Sequence, residues 1–192
     1  SLESLLESPH KVIGVVTQPD RPKGRGQKLA PSPVKSLPIS KDLPVLQPER
    51  VLDPSSLEVL RSLHPDLMVV VAYGQILPRS VLDIPTHGAI NVHASMLPKY
   101  RGAAPIAWAI LNGEKVTGVT TMVMDEGMDT GGIVAQSGVE ILDDDDVLSL
   151  SNMLSMMGAN LLLEALDKIE CEQKIVSRPQ DNGQATYAPL LK

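Results

Sequence analysis

Two stretches of the chain are apolar, rich in β-branched residues and uncharged after their first position: 11–17 (KVIGVVT) and 66–73 (DLMVVVAY). Runs of this kind, closed by turn residues, predict strands covered on both faces. Pro19 ends the first, and the turn 74–78 (GQILP) ends the second. A third strand is expected over 88–94, a short one over 44–47, and two more over 116–124 and 133–141. Between them the spacing turns helical. Leu2, Leu5 and Leu6 share one side of a first helix. Asp53-Pro54 starts another, with Asp53 as cap and Leu57, Leu60 and Leu63 as its apolar side. Further helices are expected over 34–39 and 103–111. A long one carries Val147, Leu150, Leu154, Met157, Leu161 and Leu162 on one face. Alternating strands and helices predict an open α/β sheet, mostly parallel, with helices on both faces. A ligand would lie beyond the carboxyl ends of its strands.

Composition narrows the classes. The 192 residues suit one domain with a real core, and with 43% hydrophobic residues but no Phe and one Trp that core is aliphatic. A net charge of -6 argues against a surface that coats nucleic acid uniformly, and leaves room for a local basic patch. Residues 18–33 supply one, with Arg21, Lys23, Arg25 and Lys28 against Asp20 in a stretch too rich in Pro and Gly for a regular element. Read on charge alone it is equally a solvated surface loop. A single cysteine, Cys171, excludes an internal disulfide and fits a reducing compartment. No apolar run is long enough to cross a bilayer. No G-x-G-x-x-G follows a strand, so no dinucleotide site is indicated. With one cysteine and no close histidine pair a zinc site is not expected. The acidic run 143–146 reads as a helix N-terminus rather than a cation site.

The candidate chemistry lies on the third strand. Asn91 and His93 are two apart, so both side chains leave one face. An amide there is a fixed dipole, and an imidazole can donate or accept a proton near neutral pH. Such a pair alone reads as a turn satisfying its own backbone groups. A second stretch changes this: 124–132 (MDEGMDTGG) places Asp125 and Asp129 in a Gly-rich turn between two strands. A carboxylate can orient and charge-stabilise an imidazole, which is triad logic without a nucleophile.

Three motifs carry a resemblance. The segment NVHASMLPKYRGAAPI, 91–106, resembles the N-x-H-x-S-x-L-P-x-x-R-G signature of the formyltransferases that use 10-formyltetrahydrofolate. GVTTMVMDEGMDTGGIV resembles their second signature, which ends in D-x-G-x-D-T-G. TQPDRPKGRGQKLAPSPVK is similar to the basic loop of one branch, the methionyl-tRNA formyltransferases. The resemblance runs from about Pro9 to about Pro189, and three motifs in order are far more specific than one.

The resemblance implies a Rossmann-like formyltransferase fold whose first strand is missing here. It implies a catalytic domain over 1–175 and, over 176–192, the start of a linker leading away from the sheet toward an absent OB-like domain. Asn91, His93 and Asp129 would be catalytic, with Asp125 the weaker carboxylate. Ser95, Met96, Leu97 and Pro98 match the folate segment, Met96 replacing a Leu of similar volume. Tyr73, Ile76 and Leu77 would wall the folate pocket. Arg25, with Arg21, Lys23 and Lys28, would meet the acceptor stem of initiator methionyl-tRNA. The co-substrate would be 10-formyltetrahydrofolate, with no metal and no membrane, in a monomer of the bacterial cytoplasm or an organellar matrix or stroma. Glycinamide ribonucleotide and amino-sugar formyltransferases and formyl-folate hydrolases share the Asn, His and Asp. They remain alternatives, as does a fragment that binds folate or tRNA without turnover.

Overall fold

The computed structural model describes residues 1–23, 28–30, 34–35, 37 and 43–191, and for 22–30 only the backbone where it is described. Five helices and eight strands are described: α1 (Leu2–Leu6), β1 (Val15–Val16), β2 (Arg21–Lys23), β3 (Lys28–Ala30), β4 (Val45–Leu46), α2 (Pro54–Ser62), β5 (Met68–Val70), α3 (Arg79–Leu82), β6 (Ala89–His93), α4 (Pro105–Leu111), β7 (Val116–Val123), β8 (Ile133–Glu140) and α5 (Val147–Glu172). A single 3-10 turn, Asn182–Gln184, follows. The helix expected over 34–39 falls largely outside the described residues.

β5, β6, β7 and β8 form one sheet in that order, while β1 pairs with β4 and β2 with β3. Pairing is parallel in β1–β4 and β5–β6. It is antiparallel in β6–β7, β7–β8 and the β2–β3 hairpin. β7 and β8 are joined by the turn at 124–132, too short for a crossover, so their antiparallel pairing is dictated by length. The sheet is open and flanked by helices, as the alternation predicts.

Two strands are shorter than their apolar runs. Among the described residues the strand expected over 11–17 narrows to Val15–Val16, where Val15 N and Thr17 N bond Pro44 O and Leu46 O at 2.9 Å. The strand expected over 66–73 closes at Val70, and two residues on Ala72 turns the backbone with φ 46°.

Alternation along β5 and β6 divides the core. Ala89 packs with Val51, Leu60, Leu77, Val81 and Leu82, and Met68, Val70 and Tyr73 join them. Ile90 packs instead with Leu162, Leu166 and Ile169 of α5, joined by Val69 and Val92. One sheet face therefore carries α2 and α3, and the other carries α5. Asn91 and His93 continue the face of Ala89, away from α5. Gly158 lets α5 sit close: a Cβ there would stand 2.9 Å from Val92 Cγ1.

The acidic run lies at the start of α5 and the expected Asp53 at the start of α2, with different chemistry. Asp146 Oδ1 accepts from Leu148 N and Ser149 N at 2.8 Å, and Ser149 Oγ accepts from Asp146 N at 3.0 Å, a reciprocal box that explains the acidic run. Asp53 precedes Pro54 as expected, yet its carboxylate makes no cap hydrogen bond; only its carbonyl receives Ser56 N and Leu57 N.

Candidate active site

β6 delivers Asn91 and His93 to the end of the sheet. The turn that follows then folds back over them. His93 is 6% exposed, and its Nε2 lies 2.9 Å from the carbonyl oxygen of Tyr100. A carbonyl can only accept, so Nε2 carries the proton in that bond. The other ring nitrogen, Nδ1, lies 3.6 Å from Asp129 Oδ2. That is an ion-pair separation, longer than a hydrogen bond. Asp129 Oδ2 also accepts from Gly102 N at 2.8 Å. Asp129 itself is left-handed, with φ 53°, a conformation that Asp tolerates better than most residues. The Asn91 side chain makes no hydrogen bond among the described residues, so its amide dipole is uncommitted. Asp125 plays a local part: its Oδ1 takes Gly127 N at 3.1 Å and Thr130 Oγ1 at 2.7 Å, shaping the Gly-rich turn.

The turn 95–102 is heavily bonded to the sheet beneath. Ser95 Oγ donates to Lys99 O at 2.6 Å, and Thr120 Oγ1 donates to Ser95 O at 2.7 Å. Thr120 Oγ1 also receives Leu97 N at 3.2 Å and Gln136 Nε2 at 2.9 Å. Gln136 Nε2 reaches Leu97 O at 2.8 Å as well. Leu97-Pro98 is a cis peptide. Gly102 has φ 119°, and a Cβ there would stand 2.9 Å from Ala188 O, so only glycine fits.

Residues 176–191, expected to start a linker leading away from the sheet, run back along the site instead. Arg178 exchanges backbone hydrogen bonds with Ile133 at the open edge of β8. Gln180 Nε2 donates to Asp129 O and Gly131 O at 2.8 Å. Thr186 receives Tyr100 N on its Oγ1 at 2.8 Å and Arg101 N on its carbonyl at 2.9 Å. The edge strand and the two turns offer unpaired backbone groups, and this segment satisfies them. Arg101, only 2% exposed, donates to Gln180 Oε1 at 3.1 and 2.7 Å and to Asn182 Oδ1 at 2.8 Å.

The expected folate residues divide by exposure. Ser95, Leu97 and Leu77 are buried, Tyr73, Met96 and Pro98 are half-buried, and Ile76 is 86% exposed. The Tyr73 hydroxyl is buried without a partner, and burial raises its pKa. Of the basic loop, Arg25 lies outside the described residues, and Lys23 and Lys28 face each other across the β2–β3 hairpin. Arg21 is exposed, and its Nη2 donates to Gln18 Oε1 at 3.5 Å. The base of the hairpin is anchored through Asp20, which accepts from Gln47 Nε2 at 2.8 Å and Lys35 Nζ at 2.7 Å. The Gln47 bond first, then the Lys35 bond, holds the Asp20 carboxyl below the usual range. Gln18 Nε2 donates to Tyr73 O at 2.8 Å, tying this base to the turn after β5.

Among the described residues one group could hold a metal ion: His10, Asp167 and Glu170, where α1 meets α5. Its two ring nitrogens face different carboxylates, at 3.1 and 3.7 Å, which is the arrangement of an ion-paired imidazole. A groove of about 300 Å³ along β8 and α5, lined by Gln136, Ser137, Met157, Asn160, Leu161 and Glu164, contains neither Asn91 nor His93 nor Asp129.

Sequence reasoning missed Tyr100, Arg101, Glu114, Thr120, Gln136, Gln180 and Thr186 as parts of the site.

The profile of the family described as Formyl transferase matches residues 2–166. A methionyl-tRNA formyltransferase of Geobacter sulfurreducens is 54% identical over 192 residues, all of this chain and 60% of that protein. The chain spans about 60% of the length of such curated relatives. The phosphoribosylglycinamide formyltransferase of Bacillus halodurans is 25% identical, with a TM-score of 0.74 over 92% of each chain. The N-formyltransferase of Helicobacter canadensis, solved with folinic acid and dTDP-3-aminofucose, is 23% identical, with a TM-score of 0.75 over 98% of this chain and 65% of that one. The chain belongs to the formyl transferase family.

Proposed function

We propose that this chain carries the catalytic domain that transfers the formyl group of 10-formyltetrahydrofolate to the α-amino group of initiator methionyl-tRNA. The observation that carries the reading is the convergence at one strand end of an uncommitted Asn91 amide, the His93 Nδ1 and the Asp129 carboxylate 3.6 Å from it. The name of relatives 50–54% identical over the chain supports tRNA as acceptor, and the folinic acid in a neighbour of the same fold supports a folate donor.

The reaction is acyl transfer without a covalent enzyme intermediate. As the amine attacks the formyl carbon, a new C–N bond forms and charge collects on the formyl oxygen. Asn91 Nδ2 and a protonated His93 Nδ1 donate to that oxygen, a contribution of about 3 kcal/mol per donor where such a donor has been removed. Asp129 stabilises the positive imidazole. The bond to the folate nitrogen then breaks, that nitrogen takes a proton, and the amine gives one up through water. Ser95 is not a nucleophile in this scheme, since its hydroxyl is committed to Lys99 O.

Tyr73, Ile76, Met96 and Pro98 face the folate, with Ser95, Leu97 and Leu77 shaping the wall from behind. The basic loop, with Arg25, Arg21, Lys23 and Lys28, meets the acceptor stem, and the protein acts as a monomer in a bacterial cytoplasm or an equivalent organellar compartment. The deciding experiment assays the full-length protein with 10-formyltetrahydrofolate and methionyl-tRNA, beside a His93→Ala variant. Formyl-methionyl-tRNA from the first and not the second is expected. Turnover on glycinamide ribonucleotide or an amino-sugar nucleotide instead, or hydrolysis without acceptor, would overturn the choice of substrate.

A further inference from the structure

We propose that Tyr100 and Glu114 are positioning residues for His93, acting through the Tyr100 carbonyl. The proposal rests on the reading of Asn91, His93 and Asp129 as an acyl-transfer site. Tyr100 has φ 61°, in the left-handed region that a bulky side chain rarely adopts. That backbone is held in place from its side chain. The phenol is buried, its hydroxyl donates to Glu114 Oε1 at 2.7 Å, and it accepts from Asn112 Nδ2 at 3.1 Å. Lys99 Nζ stands 3.4 Å from the same Glu114 oxygen. Asn112 and Glu114 lie between α4 and β7, so the anchor is rooted in regular structure on either side.

The carbonyl held by this anchor fixes the proton on His93 Nε2. It thereby assigns Nδ1 as the atom that gains or gives a proton, and Nδ1 is the nitrogen facing Asp129. Release of the carbonyl would leave a buried N–H without a partner and let the ring exchange tautomers or turn. Two residues further on, Gly102 N bonds Asp129 Oδ2, so one turn sets both partners of the pair.

A merely structural Tyr100 predicts something different from a positioning one. Tyr100→Phe keeps the ring and loses the hydroxyl, Glu114→Ala removes the acceptor, and Glu114→Gln retains one. In the full-length protein, Tyr100→Phe and Glu114→Ala are expected to lower kcat about tenfold or more, with KM for the folate within about twofold. The pH–rate profile of kcat should move with them. Glu114→Gln should recover most of the loss. The imidazole ¹⁵N shifts of His93, one of four histidines, recorded at alkaline pH where the ring is neutral, should report an Nε2–H ring in the wild type and a mixture of tautomers in the two damaging variants. Unchanged ¹⁵N shifts and kcat, with only thermal stability lowered, would overturn the proposal. Because the ¹⁵N reading needs no turnover, a changed tautomer in a protein without formyl transfer would uphold the positioning role while refuting the reaction. Glu114 is partly exposed, so its variants test the idea even where Tyr100→Phe does not fold.

Discussion

His93 Nδ1 stands 3.6 Å from Asp129 Oδ2, and that oxygen is already bonded to the Gly102 amide at 2.8 Å. The carboxylate is thus held by the backbone and only approached by the imidazole. A proton on Nδ1 is attracted to Asp129 by charge while staying available to a third atom. Asp129→Asn keeps an oxygen for Gly102 N and a residue that accepts the left-handed backbone, and removes the charge. It should fold normally and lose about a hundredfold or more in kcat. Formyl transfer close to wild type would take Asp129 out of the catalytic role.

The Asn91 side chain has no hydrogen bond among the described residues, so its amide contributes little to folding. Asn91→Ala should leave the unfolding temperature nearly unchanged and lower kcat by about 10²- to 10³-fold, the cost of one oxyanion donor. A variant damaged in stability but not in kcat would show that the amide is structural.

Gln180 Nε2 bridges Asp129 O and Gly131 O, and its own oxygen is held by Arg101. Gln180→Ala should cost about 1–3 kcal/mol of stability, because it leaves a buried guanidinium short of acceptors. It should also lower kcat, since the Asp129 turn loses its tether. Denaturant unfolding and single-turnover kinetics on one preparation separate the two effects.

The Tyr73 hydroxyl is buried and unpaired, a cost to the free protein. Tyr73→Phe should raise stability by about 1 kcal/mol and raise KM for the folate. A variant less stable than wild type would mean that the hydroxyl is bonded in solution.

Acid should weaken the base of the basic hairpin and the Tyr100 anchor together. Bonds from Gln47 and then Lys35 hold Asp20 below its ordinary 3.8, and the Tyr100 hydroxyl holds Glu114 below 4.5. A depressed folded value means stability present above the unfolded value and lost as pH falls through the folded one. Stability should therefore decline below about pH 4.5, and Asp20→Asn should flatten part of that decline. The phenols of Tyr73 and Tyr100 are raised by burial, so their contribution is intact below pH 10 and is lost as pH rises through their folded values. Denaturant unfolding across the pH range would check both limbs.

Most of the sheet was legible because its strands are runs of apolar and β-branched residues closed by turn residues. The runs 88–94, 116–124 and 133–141 match β6, β7 and β8 within two residues at each end. Strand length was not legible at 11–17, whose described pairing is with β4, thirty positions away. Asn91, His93 and Asp129 stood out because amides, imidazoles and carboxylates cluster there in short motifs. The groups that fix them did not. Arg101 sits in the first motif with no role assigned to it there, and it is buried against residues 79 and 81 positions later. The part Tyr100 plays is a carbonyl, which no side-chain pattern reveals.

The return of residues 176–191 has a consequence for the order of assembly. Every pairing within the four-stranded sheet, and the helix packed on it, is complete by Glu172. The bonds that close the two turns span 51 positions from Asp129 to Gln180 and 86 from Tyr100 to Thr186. Contacts at such separation carry the larger loop-closure entropy and form late. A chain released at position 175 would hold its core and its strands, with His93 in place on β6 and the turn 95–102 bonded to the sheet, but without the bonds to Gln180 and Thr186 that close the site. Compactness and competence are thus acquired at different points along this polypeptide.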